Sequence, residues 1–268
     1  MSGGPEHSST GAEHSAPGPA IDSGRVIADL RELDRLTADP SGAMRVCWTE
    51  SWRRARELLG ERLTELGIKP RRDSAGNLWA RLEGRSDAPA LAVGSHLDSV
   101  PGGGWLDGAL GVMAGLGALR SWIEAGERPP RTMLLVDWAD EEGARFGRSL
   151  FGSSAWSGTL DVEAVARLRD ADGVGLAEAL AENGLELERV LAASRDRPEL
   201  AGYLELHIEQ GPVLESEGLA AAAVCGCAGV ERQRLRFAGR ASHAGTTPMD
   251  SRRDAGLAAA ETMLAAER

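Results

Sequence analysis

Residues 94–108 place one imidazole and two carboxylates in a glycine-rich turn, GSHLDSVPGGGWLDG. The imidazole belongs to His96 and the carboxylates to Asp98 and Asp107, and the turn directly follows a short apolar run. Neutral imidazoles and carboxylates are the groups with which proteins bind zinc and similar divalent ions. The turn therefore predicts a divalent metal site, and metal sites of this composition commonly activate water for hydrolysis.

The same residue types recur in three segments further along the chain, each flanked by glycine or preceded by an apolar run. These segments are 140–143 (DEEG), 205–211 (ELHIEQG) and 242–245 (SHAG). Together with the 94–108 turn, these segments contain three of the five histidines in the chain, each with acidic or glycine neighbours. Taken together, the segments predict a metal hydrolase with two ions in one site.

Two ions that share a site need imidazoles, terminal carboxylates and one carboxylate that bridges them. Asp107, on its glycine-flanked turn, is the predicted bridge. His96 and His207 would complete the protein ligands of one ion. Glu142 would bind the second ion.

Two more carboxylates have predicted roles beside the ligands. Asp98, two residues after His96, is placed to accept the second ring N–H of that histidine and so fix its tautomer, as carboxylates behind metal ligands often do. Glu141 is then free to act as the general base that takes a proton from the attacking water.

Strands that alternate with helices must position these residues. Apolar spacing predicts helices at 21–36, 50–66 and 108–125, the last with Asp107 as its cap, and strands at 78–82, 90–94, 132–138 and 202–207. The predicted strands at 90–94, 132–138 and 202–207 run into the polar segments described above. In an α/β domain, ligands collect at the carboxyl ends of the strands, so we predict that these segments converge.

The chain divides into three predicted regions. Residues 1–20 are rich in Ser, Gly, Pro and His and predict a disordered tail. Residues 21–218 form the predicted metal-binding catalytic domain. Residues 219–268 read as the first strand (alternation at 232–237) and the first helix (from about Ser251) of a smaller second domain.

The bulk composition narrows the class of protein. The 268 residues carry 41 Asp and Glu against 30 Lys and Arg, a formal net charge of -11, which argues against nucleic acid or an anionic membrane as partner. Three cysteines form no even disulfide framework, which favours a reducing compartment. Without a signal peptide or an apolar run long enough to span a bilayer, the expected location is the cytoplasm.

The motifs resemble those of the N-carbamoyl-L-amino acid hydrolase, β-ureidopropionase and allantoate amidohydrolase family, within the aminoacylase and carboxypeptidase clan of dinuclear metal enzymes. The resembling segments are 94–101, 107–108, 140–147, 205–215 and 243–250. The resemblance implies a central mixed sheet with helices on both faces, followed by the start of an α+β lid and dimerisation domain. It also implies an amidohydrolase that cleaves a C–N bond of a carbamoyl amino acid, allantoate or ureidopropionate.

The resemblance further implies site residues that spacing alone does not indicate. Gln210 matches a residue near the substrate, and His243 matches a lid histidine that polarises the substrate carbonyl. Arg232 is a weaker substrate contact and reads equally well as an exposed strand arginine. The implied cofactors are two divalent ions, zinc or manganese, with cobalt or nickel also compatible. The implied assembly is a homodimer through the lid domain.

Members of this family continue beyond the point that corresponds to Arg268. The continuation supplies a further metal-binding histidine and the lid Asn and Arg residues that hold the substrate carboxylate. We therefore expect a C-terminally truncated chain, with the substrate and the metal left open. Two alternatives stand beside the amidohydrolase: an aminoacylase or dipeptidase with the same metal core, and a non-catalytic truncated fragment.

Overall fold

The computed structural model describes residues 17–227, 229 and 233–268. Residues 1–16 of the predicted tail lie outside this part, as does Arg232. The described chain forms two compact units, the first ending at Gly211 and the second covering Pro212–Arg268. None of the helices in the described ranges combines the length and the apolar character that crossing a bilayer would require.

The first unit contains both strands and helices. Its strands are β1 (Ala38–Asp39), β2 (Gly42–Ala43), β3 (Arg71–Arg72), β4 (Leu78–Leu82), β5 (Ser86–His96), β6 (Arg131–Trp138) and β7 (Leu200–Leu204). Its helices are α1 (Ser23–Thr37), α2 (Glu50–Glu65), α3 (Ala109–Glu124), α4 (Phe151–Ser157), α5 (Val162–Val165), α6 (Leu176–Glu182) and α7 (Ala192–Arg195). The second unit contains α8 (Val213–Glu217) and α9 (Ala255–Ala266).

Five of the strands form one mixed sheet in the order β3-β4-β6-β5-β7. Strand β4 runs antiparallel to β3 and β6, whereas β5 runs parallel to β6 and β7. The parallel register pairs His96 with Trp138, so β5 and β6 end at the same edge of the sheet. The segments that follow these two strands are therefore neighbours, as the sequence predicts.

Alternating side chains of the strands build two apolar layers. Val93 and Leu135 point into the larger core, which is covered by α1, α2 and α3. Ala92 and Leu134 face the opposite side of the sheet, where Trp79 packs against them. Trp156 of α4 reaches that side through its contact with Trp79, with ring centroids 5.8 Å apart. Helices thus lie on both faces, and the predicted α/β class with a central mixed sheet is confirmed.

Two sequence expectations about the later part of the chain are wrong in detail. Strand β7 ends at Leu204, so His207 follows the strand at some distance rather than ending it. In the second unit, residues 233–237 form no strand and are exposed. The predicted helix is present as α9 and begins after Asp254, whose side chain accepts hydrogen bonds from the N–H groups of Gly256 and Leu257.

Candidate metal centre

His96 ends β5 and is held in one orientation by its surroundings. Its side chain lies in the core, with 2% of the residue exposed. The Nδ1–H group donates to the carbonyl oxygen of Asp98 at 2.9 Å, which leaves Nε2 as the atom with a free lone pair. Gly108 packs directly on the ring, because a Cβ at this position would lie 2.4 Å from the His96 Cε1 atom.

Gly108 also corrects the predicted start of α3. The residue that precedes the helix is Gly108, with φ at +63°, and the helix has no side-chain cap. A positive φ is a conformation that favours glycine. The Asp107 carboxylate is therefore directed to the candidate site rather than to the helix N-terminus that the sequence assigned to it.

Asp107 and His207 meet at the first group of potential ligands. The His207 Nδ1–H group donates to the carbonyl oxygen of Ile208 at 2.8 Å, so its Nε2 atom also carries a lone pair. This Nε2 atom lies 3.2 Å from Asp107 Oδ1, which is buried and accepts no hydrogen bond. Two electron-pair donors that face each other at this distance repel unless a cation lies with them, and this pair fits a divalent ion.

His96 is common to two groups of potential ligands. One group combines it with Asp107 and His207, the other with Glu141 and Glu142, and the ligand atoms within each group lie within 4.8 Å of one another. The His96 Nε2 atom lies 3.5 Å from Glu141 Oε2. Four predicted metal ligands and the predicted base are thus brought together. The bridging role of Asp107 stays a prediction, since the residue shared by the two groups is His96.

Asp98 is placed differently from the sequence expectation. Its carboxylate accepts the backbone N–H groups of Glu141 at 3.2 Å and of Glu142 at 3.1 Å. The nearer carboxylate oxygen is 3.7 Å from His96 Nδ1, so the backbone carbonyl of Asp98 orients the imidazole instead. The reason is that the two backbone N–H groups already engage both carboxylate oxygens. Asp98 consequently ties the end of β5 to the segment that follows β6.

The carboxylates of this cluster lie close together and are partly buried, and this raises the pKa values of several groups. Burial raises the pKa of Asp98 to about 6, against the opposing effect of His96. Burial also raises the pKa of Glu142, as do the charges of Asp107 and Glu141. Burial disfavours the charged form of His96, but the Asp98 and Glu141 carboxylates outweigh it and raise the pKa of His96. Divalent cations would relieve this accumulation of negative charge.

A buried ion pair that the sequence analysis missed supports the cluster from below. Asp137, in β6, is fully buried and accepts the N–H of Leu97 at 2.8 Å. Its other oxygen accepts from Arg56 Nε at 2.6 Å, and the Arg56 side chain is 9% exposed. The available signal was an aspartate inside the apolar run 132–138, because a buried carboxylate requires a partner.

A second buried carboxylate shapes the turn before Glu141. Asp140 has φ at 54° and Trp48 has φ at 65°, left-handed values that are rare for such residues. The Trp48 indole N–H donates to Asp140 Oδ2 at 3.1 Å. Burial raises the pKa of Asp140 to about 8, helped by the charge of Asp98. Strain of this kind persists only where the surroundings enforce it, so these residues fix how the chain leaves β6.

The segment after β7 contributes from a more exposed position. Gln210, also left-handed with φ at 57°, donates from Nε2 to Asp107 Oδ2 at 2.7 Å. Glu205 accepts hydrogen bonds from the Ser95 hydroxyl and from the Tyr203 hydroxyl, the latter at 2.8 Å. Side-chain hydrogen bonds, rather than a surrounding core, therefore attach this segment to β5 and to the 94–108 turn.

The remaining predicted site residues lie toward the C-terminus. His243 belongs to the second unit, where the N–H groups of Gly245 and Thr246 each donate to its Nδ1 atom at 3.1 Å. Because Nδ1 is the acceptor, Nε2 carries the proton in the neutral ring. Arg232 lies outside the described residues, so its predicted substrate contact stays a prediction.

Comparison with known proteins relates this geometry to characterised families. Residues 77–199 match the family described as Peptidase family M28. The chain is 44% identical over 239 residues to the N-carbamoyl-L-amino acid amidohydrolase of Geobacillus stearothermophilus, covering 88% of this chain and 58% of that protein. It is 34% identical to allantoate deiminase 2 of Glycine max, covering 93% of this chain and 52% of that protein.

The fold has similar counterparts among solved structures. A hydantoinase/carbamoylase family amidase from Burkholderia ambifaria superposes with a TM-score of 0.68 and 34% sequence identity. That superposition covers 91% of this chain and 59% of the other. The chain thus spans somewhat more than half the length of the relatives it matches.

Proposed function

The chain belongs to the N-carbamoyl-L-amino acid amidohydrolase family, and on that premise we propose that it is a metal-dependent hydrolase of carbamoyl or ureido C–N bonds. The proposed substrates are N-carbamoyl amino acids, allantoate or ureidopropionate. The observation that carries the proposal is the pair of potential ligand groups that meet at His96, one with Asp107 and His207 and the other with Glu141 and Glu142.

The residues present fit a pair of divalent ions. His96, Asp107 and His207 would hold one ion, and Glu142 would contribute to the second. The support is chemical: both imidazoles direct a lone pair into the site, and Asp107 Oδ1 is buried without a hydrogen bond. An ion bound there supplies Lewis acidity, which lowers the pKa of a coordinated water and polarises a carbonyl. Histidine and carboxylate ligands admit zinc or manganese, and also cobalt or nickel.

Glu141 is the proposed general base. Its carboxylate is 32% exposed, so it is accessible to solvent, and Oε2 lies 3.5 Å from His96 Nε2. It takes a proton from the attacking water as the water oxygen bonds to the carbamoyl carbon, and it delivers that proton to the nitrogen as the C–N bond breaks. For a carbamoyl amino acid, the products are the free amino acid, ammonia and carbon dioxide.

Two further residues have proposed substrate roles. Gln210, held against Asp107, presents an amide at the rim of the cluster. His243, with its proton on Nε2, is suited to donate a hydrogen bond to a substrate carbonyl as negative charge develops there.

Turnover assays on the full chain test this function. The chain is supplied with zinc or manganese, and ammonia release is measured with N-carbamoyl amino acids, allantoate and ureidopropionate. We expect ammonia from at least one of them, and a loss of about 10²–10⁴-fold in Glu141→Gln without loss of bound metal. Metal-loaded chain that releases only an amine from N-acyl amino acids or dipeptides would support the aminoacylase or dipeptidase alternative. Metal-loaded chain without any turnover would favour the non-catalytic fragment.

We also propose that two copies of the chain associate through the region 219–268. Support comes from α9, whose Leu257, Met263 and Leu264 are 60%, 67% and 63% exposed. Apolar side chains clustered on one exposed element often mark a protein interface. Light scattering after size exclusion should give a dimer, and Leu257→Glu combined with Leu264→Glu should give a monomer. The control is Glu261→Gln on the same helix, and a wild-type monomer would refute the proposal.

A further inference from the structure

A pocket lined by aromatic rings lies beside the candidate base, within the first unit. Its volume is about 480 Å³, which is the size of many small-molecule sites. Its lining includes three aromatic residues, Trp138, Trp156 and Tyr203, together with Ser157 and the acids Glu141 and Glu205. The pocket therefore combines an aromatic wall with the candidate base.

The rings of this wall are fixed by contacts with one another. Trp138 stands edge-on to Trp156 with centroids 5.6 Å apart, and to Tyr203 with centroids 6.0 Å apart. Trp79 contacts both tryptophans, with its ring centroid 5.3 Å from that of Trp138 and 5.8 Å from that of Trp156. The aromatic surface is thus preformed, which reduces the entropy lost when a ligand binds.

Most polar groups around the wall already have partners inside the protein. The Trp138 indole N–H donates to the Tyr203 hydroxyl at 3.0 Å, and that hydroxyl lies within hydrogen-bonding distance of Gly94 O and Glu205 Oε2. The Ser157 hydroxyl bonds to the Ser154 carbonyl at 3.1 Å. A ligand in the pocket consequently meets mainly ring faces and other carbon atoms.

The charges that line the pocket disfavour an anionic group. Glu141 and Glu205 are the charged residues of the lining. Arg197 stacks on Trp156, with its guanidinium 5.8 Å from the ring centroid, but does not line the pocket. A substrate carboxylate would be repelled by the two acids, whereas an uncharged aromatic or large aliphatic group loses nothing there and gains contact with the rings.

We propose that this pocket receives the side chain of the amino acid substrate and selects aromatic and other large apolar side chains. The proposal rests on the proposed function, because Glu141 gives the pocket its place next to the reacting bond. A pocket of this kind favours N-carbamoyl amino acids with large side chains over small polar ureido acids. Trp156 is the residue of the aromatic wall to substitute, because α4 supplies it and its replacement leaves the strands of the sheet unchanged.

Paired kinetics on the zinc-loaded full chain test the pocket. The ratio of kcat/KM for N-carbamoyl-L-phenylalanine to that for N-carbamoylglycine should exceed about 10 in the wild type, since a hydrophobic pocket distinguishes even single methylenes by 10–200-fold. Trp156→Ala should reduce the ratio at least tenfold. Trp156→Phe, which keeps a ring, should retain most of it, and this variant also guards against a loss caused by misfolding.

Trp122→Ala is the matched control, because Trp122 belongs to α3, packs against the larger core and does not line the pocket, so its removal should leave the ratio unchanged. A wild-type ratio near one, or the same ratio in Trp156→Ala as in the wild type, would overturn the pocket while leaving the hydrolase proposal intact. Calorimetric titration of Glu141→Gln with both compounds measures binding without hydrolysis, and so tests the pocket separately from the hydrolase proposal. If no compound is hydrolysed but N-carbamoyl-L-phenylalanine still binds more tightly and needs Trp156, then the pocket stands and the proposed function fails.

Discussion

The two sides of the candidate metal centre are built in contrasting ways. On the β5–β6 side, His96, Asp98 and Asp137 are at most 2% exposed and are joined to backbone groups by hydrogen bonds. On the β7 side, His207 and Gln210 are exposed; Gln210 is attached to Asp107 by one side-chain hydrogen bond, and His207 Nε2 faces the other Asp107 oxygen without a hydrogen bond. The first side is positioned by the core of the domain, and the second by a few polar contacts at the surface.

This contrast follows from the place of each strand in the sheet. Strands β5 and β6 are interior strands, so apolar layers cover them and any buried polar group must be fully paired. Strand β7 is an edge strand, and its Leu204 is 65% exposed. Regions with few buried contacts open at lower free energy than the core. The centre therefore combines a rigid half with a half that can adapt.

The largest expected effect comes from breaking the buried pair beneath the rigid half. Arg56→Met leaves the Asp137 carboxylate buried without its cation and should lower the free energy of unfolding by about 3–5 kcal/mol. Urea denaturation measures the change. The matched control is Arg54→Met on the same helix, whose ion pair with Glu50 is exposed and should contribute about 1 kcal/mol or less. Equal losses in the two variants would contradict the contrast.

Gly108→Ala tests the close packing of His96. The added Cβ would meet the imidazole at 2.4 Å and would require a positive φ, so we expect a loss of about 1–3 kcal/mol in stability together with weaker zinc binding. Gly104→Ala, where a Cβ would have open space, provides the control. Calorimetric zinc titrations and thermal melts of both variants are the measurements. An unaffected Gly108→Ala protein would show that the ring is free to move.

Asp98→Asn tests whether the hydrogen bonds that join the end of β5 to the segment after β6 contribute to metal affinity. The amide group can accept only one of the two N–H groups of Glu141 and Glu142, so zinc affinity should fall by about 10–100-fold. Glu205→Gln alters the β7 side with the same change of group and should reduce the affinity less. If the two variants lose affinity equally, the β7 side is as strongly coupled to the centre as the core is.

The smallest effect is expected at the edge strand itself. Leu204→Gln exchanges an exposed apolar side chain for a polar one and should change the free energy of unfolding by no more than about 0.5 kcal/mol. Urea denaturation again provides the measurement. A loss comparable to that of Arg56→Met would mean that β7 belongs to the rigid half.

The sequence predicts the rigid half well because its signals are local. The apolar runs of β5 and β6 end directly at His96 and Asp140–Glu142, and parallel strands bring such ends together whatever the details of the loops. What spacing does not reveal is how each polar group is satisfied. The spacing predicts that the Asp98 carboxylate contacts the imidazole, yet this carboxylate accepts two backbone N–H groups. The sequence does not show which backbone N–H groups lie near a buried carboxylate.

The exposed parts are harder to predict because their signals are weaker. The run 202–207 reads as a strand that reaches His207, but pairing with β5 stops at Leu204. The alternation at 232–237 predicts a strand, yet residues 233–237 form none, because alternating side chains do not by themselves establish the backbone pairing that makes a strand. Asp137 and Arg56 were missed for another reason, since they are 81 residues apart and only the fold joins them.

Metal stoichiometry tests the central claim most directly, namely that His96 of the rigid half and His207 of the adaptable half bind the same ion together with Asp107. Elemental analysis combined with calorimetry should give two zinc ions per wild-type chain. We expect His96→Ala and His207→Ala each to lose the ion that the two histidines share with Asp107 and to retain at most one zinc ion per chain. A His96→Ala protein that still binds two ions with wild-type affinity would contradict it.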